Sequence, residues 1–289
     1  MSAVRKRKKK LDKTRLIKQG GTYTLIGEKM NKYIRAFGIL SILCFSFYYT
    51  EKIALFMQQK DPIYETIETV KKDYETSSVN GIIYDEYIIP GIIGKEVNVM
   101  ESFQNMKYIG AFEENELVFN EIYPTISLAD NKDKIIEKGN SKKQAISFIT
   151  ADEQLITFME EMGIPYAVLT TKDTVETKRE YGLKINNDYS NYQAVEKALK
   201  KGEENTDLCY VGNNQKDFCI SKGKTLVKET YTLSKSNFTS KYKEISSGSI
   251  VYLQDNLGLE YLKILITQIQ YQGLEIIPLT DLISERENN

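Results

Sequence analysis

The chain has 289 residues but contains no histidine and no tryptophan. Histidine is the side chain that titrates near neutral pH and the commonest protein ligand of catalytic zinc. Its absence argues against a zinc centre and leaves serine or cysteine nucleophiles without their usual base. The sequence also lacks a Gly-x-Ser-x-Gly elbow and a phosphate-binding GxxxxGK[ST] loop. Common hydrolase and nucleotide-binding classes are therefore disfavoured.

Cysteine is scarce as well, with three residues and no C-x-x-C pair. Cys44 falls in an apolar stretch, where it acts as a small hydrophobic residue. Cys209 and Cys219 either form a disulfide that closes a short loop or remain free thiols in a strand end and the following helix. The sequence leaves both possibilities open. It predicts no metal site and no cofactor.

Charge is balanced overall but unevenly distributed, since 39 Lys and Arg face 40 Asp and Glu while six of the basic residues lie between Arg5 and Lys10. We interpret residues 1–32 as a basic cytoplasmic tail. Nucleic-acid binding would have to use this block, but an apolar segment follows it, which makes anionic lipid the expected neighbour. We predict a membrane partner and no nucleic acid.

The apolar segment runs without charge from Ala36 to Tyr49 and reaches bilayer-spanning length when it is extended to residues 33–57. Arg35 and Lys52 can snorkel at its two ends. Because the positive flank is N-terminal, we predict a single-pass anchor in the cell membrane with a cytoplasmic N-terminus and an extracellular C-terminal domain. A cleaved signal peptide and a buried core helix are the alternatives.

Residues 58–141 predict an extracellular stalk helix followed by a small α+β module. Helical spacing begins at Asp61-Pro62, and residues 81–91 have the β-branched content of a strand that ends at Pro-Gly. A helix is expected between Gly94 and Gly110, and another strand between Glu116 and Ser127. We expect this module to be ordered.

Residues 142–289 alternate short apolar strands with amphipathic helices, a pattern typical of a parallel sheet that is open or closed into an incomplete barrel. The predicted strands and helices are, in chain order, strand 144–149, helix 152–162, strand 165–169, helix 192–201, strands 208–211, 225–227 and 249–253, helix 257–271 and strand 275–279.

Four segments of this region occur in the order found in one known family. They are Ala145–Thr150, Lys184–Tyr192, Gly248–Asp255 and the closing helix-Gly-strand pattern of residues 262–282. Together they resemble the polysaccharide deacetylase (NodB-like) family, whose last motif reads Gly-x-Ile-hydrophobic-Leu-His-Asp. The resemblance covers roughly Lys142 to Glu285, half the chain, and the arginine-bearing middle motif of the family has no convincing counterpart here.

The resemblance implies an α/β fold: an incomplete or distorted (β/α) barrel of NodB type, preceded by a single transmembrane helix and the small α+β module. It also implies that the catalytic groups are replaced. Ile149 and Thr150 stand in place of the two aspartates of the family, Asp188 and Tyr192 in place of the metal-binding histidines, and Gln254 in place of the last histidine. Glutamine can hydrogen bond but cannot exchange a proton near neutral pH.

The expected function is therefore that of a degenerate, membrane-anchored bacterial pseudoenzyme, related to esterases that act on C–N amide bonds, which binds cell-wall glycan or an envelope protein. An active deacetylase or hydrolase that uses carboxylates without histidine is the alternative. The three aspartates near the expected pocket also have structural interpretations: Asp152 at a helix start, Asp188 in a turn and Asp255 as the cap of a helix from Leu257. The remnant pocket is expected to contain Thr150, Asp152, Asn187, Asp188, Gln254 and Asp255.

Overall fold

A computed structural model of the chain describes residues 33–170, 180–184, 191–201, 207–211 and 215–287. The first element is helix α1, Tyr33–Gln59, whose most apolar window has a mean hydropathy of 1.4. By length and composition this helix could cross a membrane. None of that window is buried in the structure, so the alternative of a buried core helix is not supported.

The chain divides into two compact units, and the first combines residues up to Val70 with Val99–Leu117. Helix α2, Pro62–Tyr74, starts where the sequence predicted, because Asp61 accepts a hydrogen bond from the Ile63 N–H at 2.9 Å and proline fits the first helical position. The Tyr64 ring lies edge-on to Phe103 of helix α3, Val99–Ile109, with 5.8 Å between centroids.

The predicted helix from Gly94 to Gly110 is too long. Residues Gly94–Val97 form strand β3, which pairs antiparallel with β4, Phe119–Ile122, and the helix begins only at Val99. The reason is local. A Cβ at Gly94 would lie 2.4 Å from the Thr76 carbonyl oxygen, and the backbone of Lys95 exchanges two hydrogen bonds with Thr76, both 2.9 Å long. These contacts fix an extended chain.

The second unit, Lys71–Asn98 with Val118–Asn289, is built on one large sheet. Its order is β1-β2-β5-β10-β9-β8-β7-β6-β12-β11, with β13 beside β6. Every pairing except that of β1 with β2 is parallel, as the strand–helix alternation predicted. The strands are β1 Ile82–Tyr84, β2 Tyr87–Ile89, β5 Ile135–Ile136, β6 Ala145–Thr150, β7 Ala167–Thr170, β8 Glu180–Lys184, β9 Leu208–Tyr210, β10 Thr225–Val227, β11 Tyr231–Leu233, β12 Ile250–Leu253 and β13 Glu275–Ile276.

The helices that follow these strands are short. Helix α4 follows β6, and α8 follows β12. Strand β13 is only two residues long, because Pro278 follows shortly after it and has no N–H to donate to the sheet. Helix α9 therefore occupies the end of the predicted strand 275–279. The helices are α4 Glu153–Met162, α5 Tyr192–Lys201, α6 Lys216–Ser221, α7 Phe238–Lys241, α8 Leu259–Tyr271 and α9 Leu279–Ile283.

The predicted boundary at residue 141 does not separate two sheets. Strands β2 and β5 come from the predicted small module, yet β2 pairs with β5 and β5 pairs with β10. Ile88 and Ile136 are at most 1% exposed in the same cluster as Val227. Central parallel strands are buried on both faces, and these apolar residues satisfy that requirement.

Alternate residues of β6, β7 and β12 enter two different clusters, as the two-residue period of a strand requires. On β6, Phe148 packs with α4 and α8, whereas Ile149 packs with α9. The α9-side cluster contains Ile88, Ile136, Ala145, Ile149, Ala167, Leu169, Leu208, Val227, Ile250, Leu279, Leu282 and Ile283.

Close backbone packing before β12 depends on glycine. Gly248 has φ +87°, and a Cβ there would lie 2.3 Å from the Gly139 carbonyl oxygen. The Gly139 N–H donates to the Gly248 carbonyl at 2.8 Å, and the Gly248 N–H donates to that of Ala145 at 2.7 Å. This contact sets β12 beside β6 in the register that aligns Leu253 with Thr150.

Candidate functional site

The carboxyl ends of the parallel strands are the place to look for a site, because ligands of parallel α/β sheets bind at that edge. Thr150, Tyr210 and Leu253 are the last residues of β6, β9 and β12. Four of the six predicted pocket residues lie at this edge among the residues described by the structure. Asn187 and Asp188 fall outside the described residues.

Thr150 is fully buried and holds the edge together. Its Oγ1 donates to the Leu253 carbonyl at 3.0 Å and accepts from the Asp152 N–H at 3.2 Å. The hydroxyl thus links β6 to β12 and to the start of α4. The geometry gives Thr150 a structural role.

Asp152 is the N-cap of α4. Its carboxylate accepts from the backbone N–H groups of Gln154 and Leu155 at 2.8 and 3.3 Å. This matches the helix-start interpretation of this residue, and the carboxylate is engaged in stabilising the exposed N–H groups of the helix.

Gln254 and Asp255 follow β12 directly. Gln254 is half-buried, and its backbone N–H donates to the Leu233 carbonyl at 2.9 Å. Asp255 is exposed. It does not cap the next helix, because α8 begins at Leu259, two residues later than predicted, with Gly258 at the N-cap.

Tyr192, which the resemblance aligned with a metal-binding histidine, lies in the core. It is 5% exposed, its ring meets Phe218 edge-on at 4.9 Å, and its hydroxyl donates to Glu196 at 2.6 Å. A tyrosine packed in this way is part of the core, and it offers no imidazole nitrogen to a metal ion.

A group of polar and aromatic residues that the sequence did not predict lies at the same edge. The hydroxyl of Tyr210 donates to the Glu229 carboxylate, and Thr232 Oγ1 donates to the same carboxylate at 3.1 Å. The Tyr252 ring lies 6.2 Å from that of Tyr210. We call Tyr210, Glu229, Thr232 and Tyr252 the edge cluster.

Electrostatics keep the two tyrosines of the edge cluster protonated. Burial, the hydrogen bond to Glu229 and the charge of Glu229 raise the pKa of Tyr210 far above its usual value. Burial and the charges of Asp255 and Glu229 raise the pKa of Tyr252 as well. Both hydroxyls therefore remain neutral at physiological pH.

The chemistry of the edge cluster suits binding. A carboxylate held by two hydroxyls keeps further lone pairs that can accept hydrogen bonds from a ligand, and two partly buried tyrosine rings lie beside it. In the described part of the chain, no group of three or more Asp, Glu or Cys side chains is placed to hold a metal ion. The arrangement fits a neutral ligand rich in hydroxyl groups.

Strand periodicity could have identified these residues. On β9, Leu208 and Tyr210 occupy alternate positions, as Ile250 and Tyr252 do on β12, so each tyrosine shares the face of a residue in the α9-side cluster. A tyrosine on the buried face near a strand's carboxyl end needs a partner for its hydroxyl.

Cys209 and Cys219 form a disulfide, with 6.2 Å between their Cα atoms. The bond joins β9, which carries Tyr210, to helix α6. Both cysteines are fully buried. The disulfide thus fixes the strand that supplies part of the edge cluster.

No protein-family model matches the chain. The uncharacterized protein YlxY of Bacillus subtilis (strain 168) is 30% identical over 146 residues, which are 50% of this chain and 44% of YlxY. The chain therefore spans less than half the length of this curated relative.

Several solved structures are similar to this chain. A CE4 family pseudoenzyme from Bacillus anthracis superposes with a TM-score of 0.56, and a mutant described as having restored enzymatic activity superposes with 0.53. Each is 18% identical and covers 79% of this chain, with 97% and 100% of the two solved chains matched. At this identity the likeness shows the fold alone. It supports the mixed α/β fold of CE4, or NodB-type, domains that the sequence resemblance predicted.

Proposed function

We propose that this chain is a membrane-anchored cell-envelope protein whose CE4-like domain binds glycan without hydrolysing it. The observation that carries the proposal is the edge cluster itself. Two tyrosine rings and a hydroxyl-bound carboxylate occupy the strand ends where a deacetylase needs a metal-bound water, a base and an acid.

Loss of catalysis is supported by the positions that the family uses for chemistry. Ile149 is fully buried in the α9-side cluster, Tyr192 is buried against Phe218, and Gln254 cannot transfer protons at neutral pH. Each replacement removes a different part of the machinery. No single reversal would restore the set.

Three features support a location of the CE4-like domain on the extracellular side of the membrane. Helix α1 is long and apolar enough to span a bilayer, the basic block lies N-terminal to it, and Cys209 is disulfide-bonded to Cys219. Disulfides persist in oxidising compartments, and positive flanks stay in the cytoplasm. A C-terminal alkaline phosphatase fusion should be active and a C-terminal green fluorescent protein fusion dark. The reverse pattern would place the domain inside.

Glycan binding is tested with full-length protein in detergent and a series of N-acetylglucosamine oligomers, by calorimetry. We expect Tyr252→Ala and Glu229→Gln to weaken binding by about tenfold each, since each loses about 1–2 kcal/mol of contact. Tyr271→Ala is the matched control, because Tyr271 is 88% exposed on α8. Site variants that bind as tightly as this control would contradict the proposal.

The alternative is hydrolysis by carboxylates alone. It would use Glu229 and Asp255, whose negative charges both raise the pKa of Tyr252. It predicts cleaved or deacetylated products, which mass spectrometry of the calorimetry mixtures would detect. Unchanged oligomers in the presence of bound protein would support binding alone.

A further inference from the structure

A cavity of about 490 Å³ lies in the second unit, close to the amino end of β6. A water molecule occupies about 30 Å³, so the cavity has room for a small organic molecule. The edge cluster lies at the carboxyl ends of the strands, which makes this a separate place in the fold. We call it the amino-edge cavity. Its lining residues are Thr76, Ser77, Val79, Ile92, Lys142, Lys143 and Glu287.

The lysine wall of the cavity is held by a capped turn. Lys142 and its neighbour belong to a short 3₁₀ helix, Ser141–Lys143, with Asn140 as its N-cap. The Asn140 side chain accepts from the Lys142 N–H at 3.0 Å and donates to the Pro90 carbonyl at 2.9 Å. This wall is therefore positioned before any ligand arrives, which lowers the entropic cost of binding.

The opposite walls are joined to each other by backbone hydrogen bonds. Val79 and Ile92 exchange two bonds of 2.8 Å, so their side chains supply an apolar surface while their backbone groups are satisfied. The N–H of Ile93 donates to the Glu285 carbonyl at 2.6 Å. That bond fixes the C-terminal segment that brings Glu287 to the cavity.

Two opposite charges on the lining are not paired. Among the described residues, neither the Lys142 ammonium nor the Glu287 carboxylate has an ion-pair or hydrogen-bond partner, and no salt bridge joins the two. Both side chains are exposed, so their charges stay hydrated until a ligand enters. Separate charges of both signs on one cavity complement a ligand that itself carries both signs.

Lys143 adds a buried positive charge to the lysine wall. Its ammonium donates to the Asp281 carbonyl and, at 3.0 Å, to Ser284 Oγ. Burial lowers the pKa of Lys143 to about 8, an effect that the charge of Asp281 only partly offsets. Charges interact more strongly where the dielectric is low. This wall therefore favours the negative group of a ligand.

Thr76 favours a polar ligand as well. In the described part of the chain, its Oγ1 is buried and has no hydrogen-bond partner. A buried hydroxyl in that state costs free energy in the unliganded protein. The hydroxyl can turn about χ1, and a polar group in the cavity can then supply the missing hydrogen bond.

We propose that the amino-edge cavity binds a small zwitterion, an amino acid or a short peptide with free ends. Its carboxylate lies towards Lys142 and Lys143 and its ammonium towards Glu287. A ligand with negative charge alone fits less well, since Glu287 repels it, and the two lysines repel a simple cation. This inference does not depend on glycan binding at the edge cluster.

The test compares the dipeptide alanyl-alanine with its N-acetylated and C-amidated forms, by calorimetry at low ionic strength with full-length protein in detergent. Each blocked form lacks one charge. We expect each to bind the wild type about three- to fivefold more weakly than the free dipeptide. Added salt should reduce this preference, because it screens the exposed charges.

Two variants assign the two ends of the ligand. Lys142→Met should narrow the difference between the dipeptide and its amide, and Glu287→Gln should remove the difference between the dipeptide and its N-acetylated form. Lys235→Met is the matched control, since Lys235 is exposed beyond the carboxyl end of β11, away from this cavity. It should bind all three compounds as the wild type does.

Three results would overturn the inference. The first is a wild type that binds no dipeptide or binds both blocked forms equally well, and the second is a Lys142→Met protein that matches the Lys235→Met control. The third is tighter binding of the N-acetylated form, tightened again by Glu287→Gln, which would identify a simple anion site. None of them bears on glycan binding, which the Tyr252→Ala comparison tests separately.

Discussion

The hydroxyl of Tyr210 donates a hydrogen bond to the carboxylate of Glu229. Tyr210 is the last residue of β9, and Glu229 lies two residues beyond the end of the neighbouring strand β10. Thr232 donates to the same carboxylate. The hydrogen bond between Tyr210 and Glu229 therefore links the strand that carries the disulfide to the segment that joins β10 to β11.

Replacing Tyr210 with phenylalanine should destabilise the protein by about 1.5 kcal/mol at neutral pH, because a hydrogen bond to a charged group is lost. The effect should shrink at alkaline pH. The native pKa of Tyr210 lies above the ordinary 10.0, so the folded chain keeps a proton that the unfolded chain releases above about pH 10. Wild-type stability should fall as the pH rises beyond that point.

Urea unfolding at pH values on both sides of 10 measures this effect, with Tyr271→Phe as the exposed control. If Tyr210→Phe and the control lose stability equally at high pH, then Tyr210 does not retain its proton in the folded state.

A buried lysine should give the opposite pH dependence. Burial lowers the pKa of Lys143 to about 8 from its ordinary 10.5, although its ammonium donates to the Asp281 carbonyl and to Ser284. Between these two values the unfolded chain binds more protons than the folded one, so stability should rise as the pH increases from about 8. Lys143→Met should remove this rise.

The comparison uses urea unfolding at pH 8 and at about 9, one unit below the ordinary pKa of tyrosine. Lys142→Met is the matched control, since its side chain is exposed next to Lys143. A Lys143→Met protein whose stability rises with pH as steeply as that of the control would show that Lys143 has an ordinary pKa.

Restoring an aspartate at position 149 should damage the fold rather than create a metal site. Ile149 is fully buried in the α9-side cluster, so Ile149→Asp places an unpaired carboxylate among apolar side chains. We expect the free energy of unfolding to fall by more than about 3 kcal/mol. Ile149→Val, which keeps the site apolar, should cost only about 1 kcal/mol. A stable Ile149→Asp protein that binds zinc would contradict this expectation.

The disulfide should contribute about 3 kcal/mol to the free energy of unfolding. Cys209 and Cys219 are ten residues apart, and the bond between them reduces the conformational entropy of the unfolded chain. Thermal unfolding of the wild type should shift to lower temperature on addition of a reductant. The double variant Cys209→Ala/Cys219→Ala should unfold at the lower temperature with or without reductant. Quantitative alkylation of both thiols in the unreduced, denatured protein would contradict the bond.

Much of the fold follows from local sequence patterns. The strand at 145–150 and the helix at 192–201 agree with prediction because each is long, periodic and bounded by clear signals. Strands β8 and β11 were missed, since neither carries a long apolar run and each gains its order from neighbouring strands. The membership of β2 and β5 in the large sheet depends on pairings distant in sequence.

The site was only partly predictable. The family resemblance led to Gln254 and Asp255, which directly follow β12 at the carboxyl edge of the sheet. It also led to Tyr192, which packs in the core. Glu229 carries no motif. Its role arises because β10 ends beside β9, so that two residues nineteen positions apart share a hydrogen bond.

The most direct test of the central claim is acetate release from N-acetylglucosamine oligomers and soluble peptidoglycan by the full-length protein, with zinc, cobalt or magnesium added. We predict that acetate does not rise above the level of the metal-only reaction, although the oligomers bind. Acetate release that requires both protein and metal, and that ceases when a chelator is added, would show that the domain is a working deacetylase.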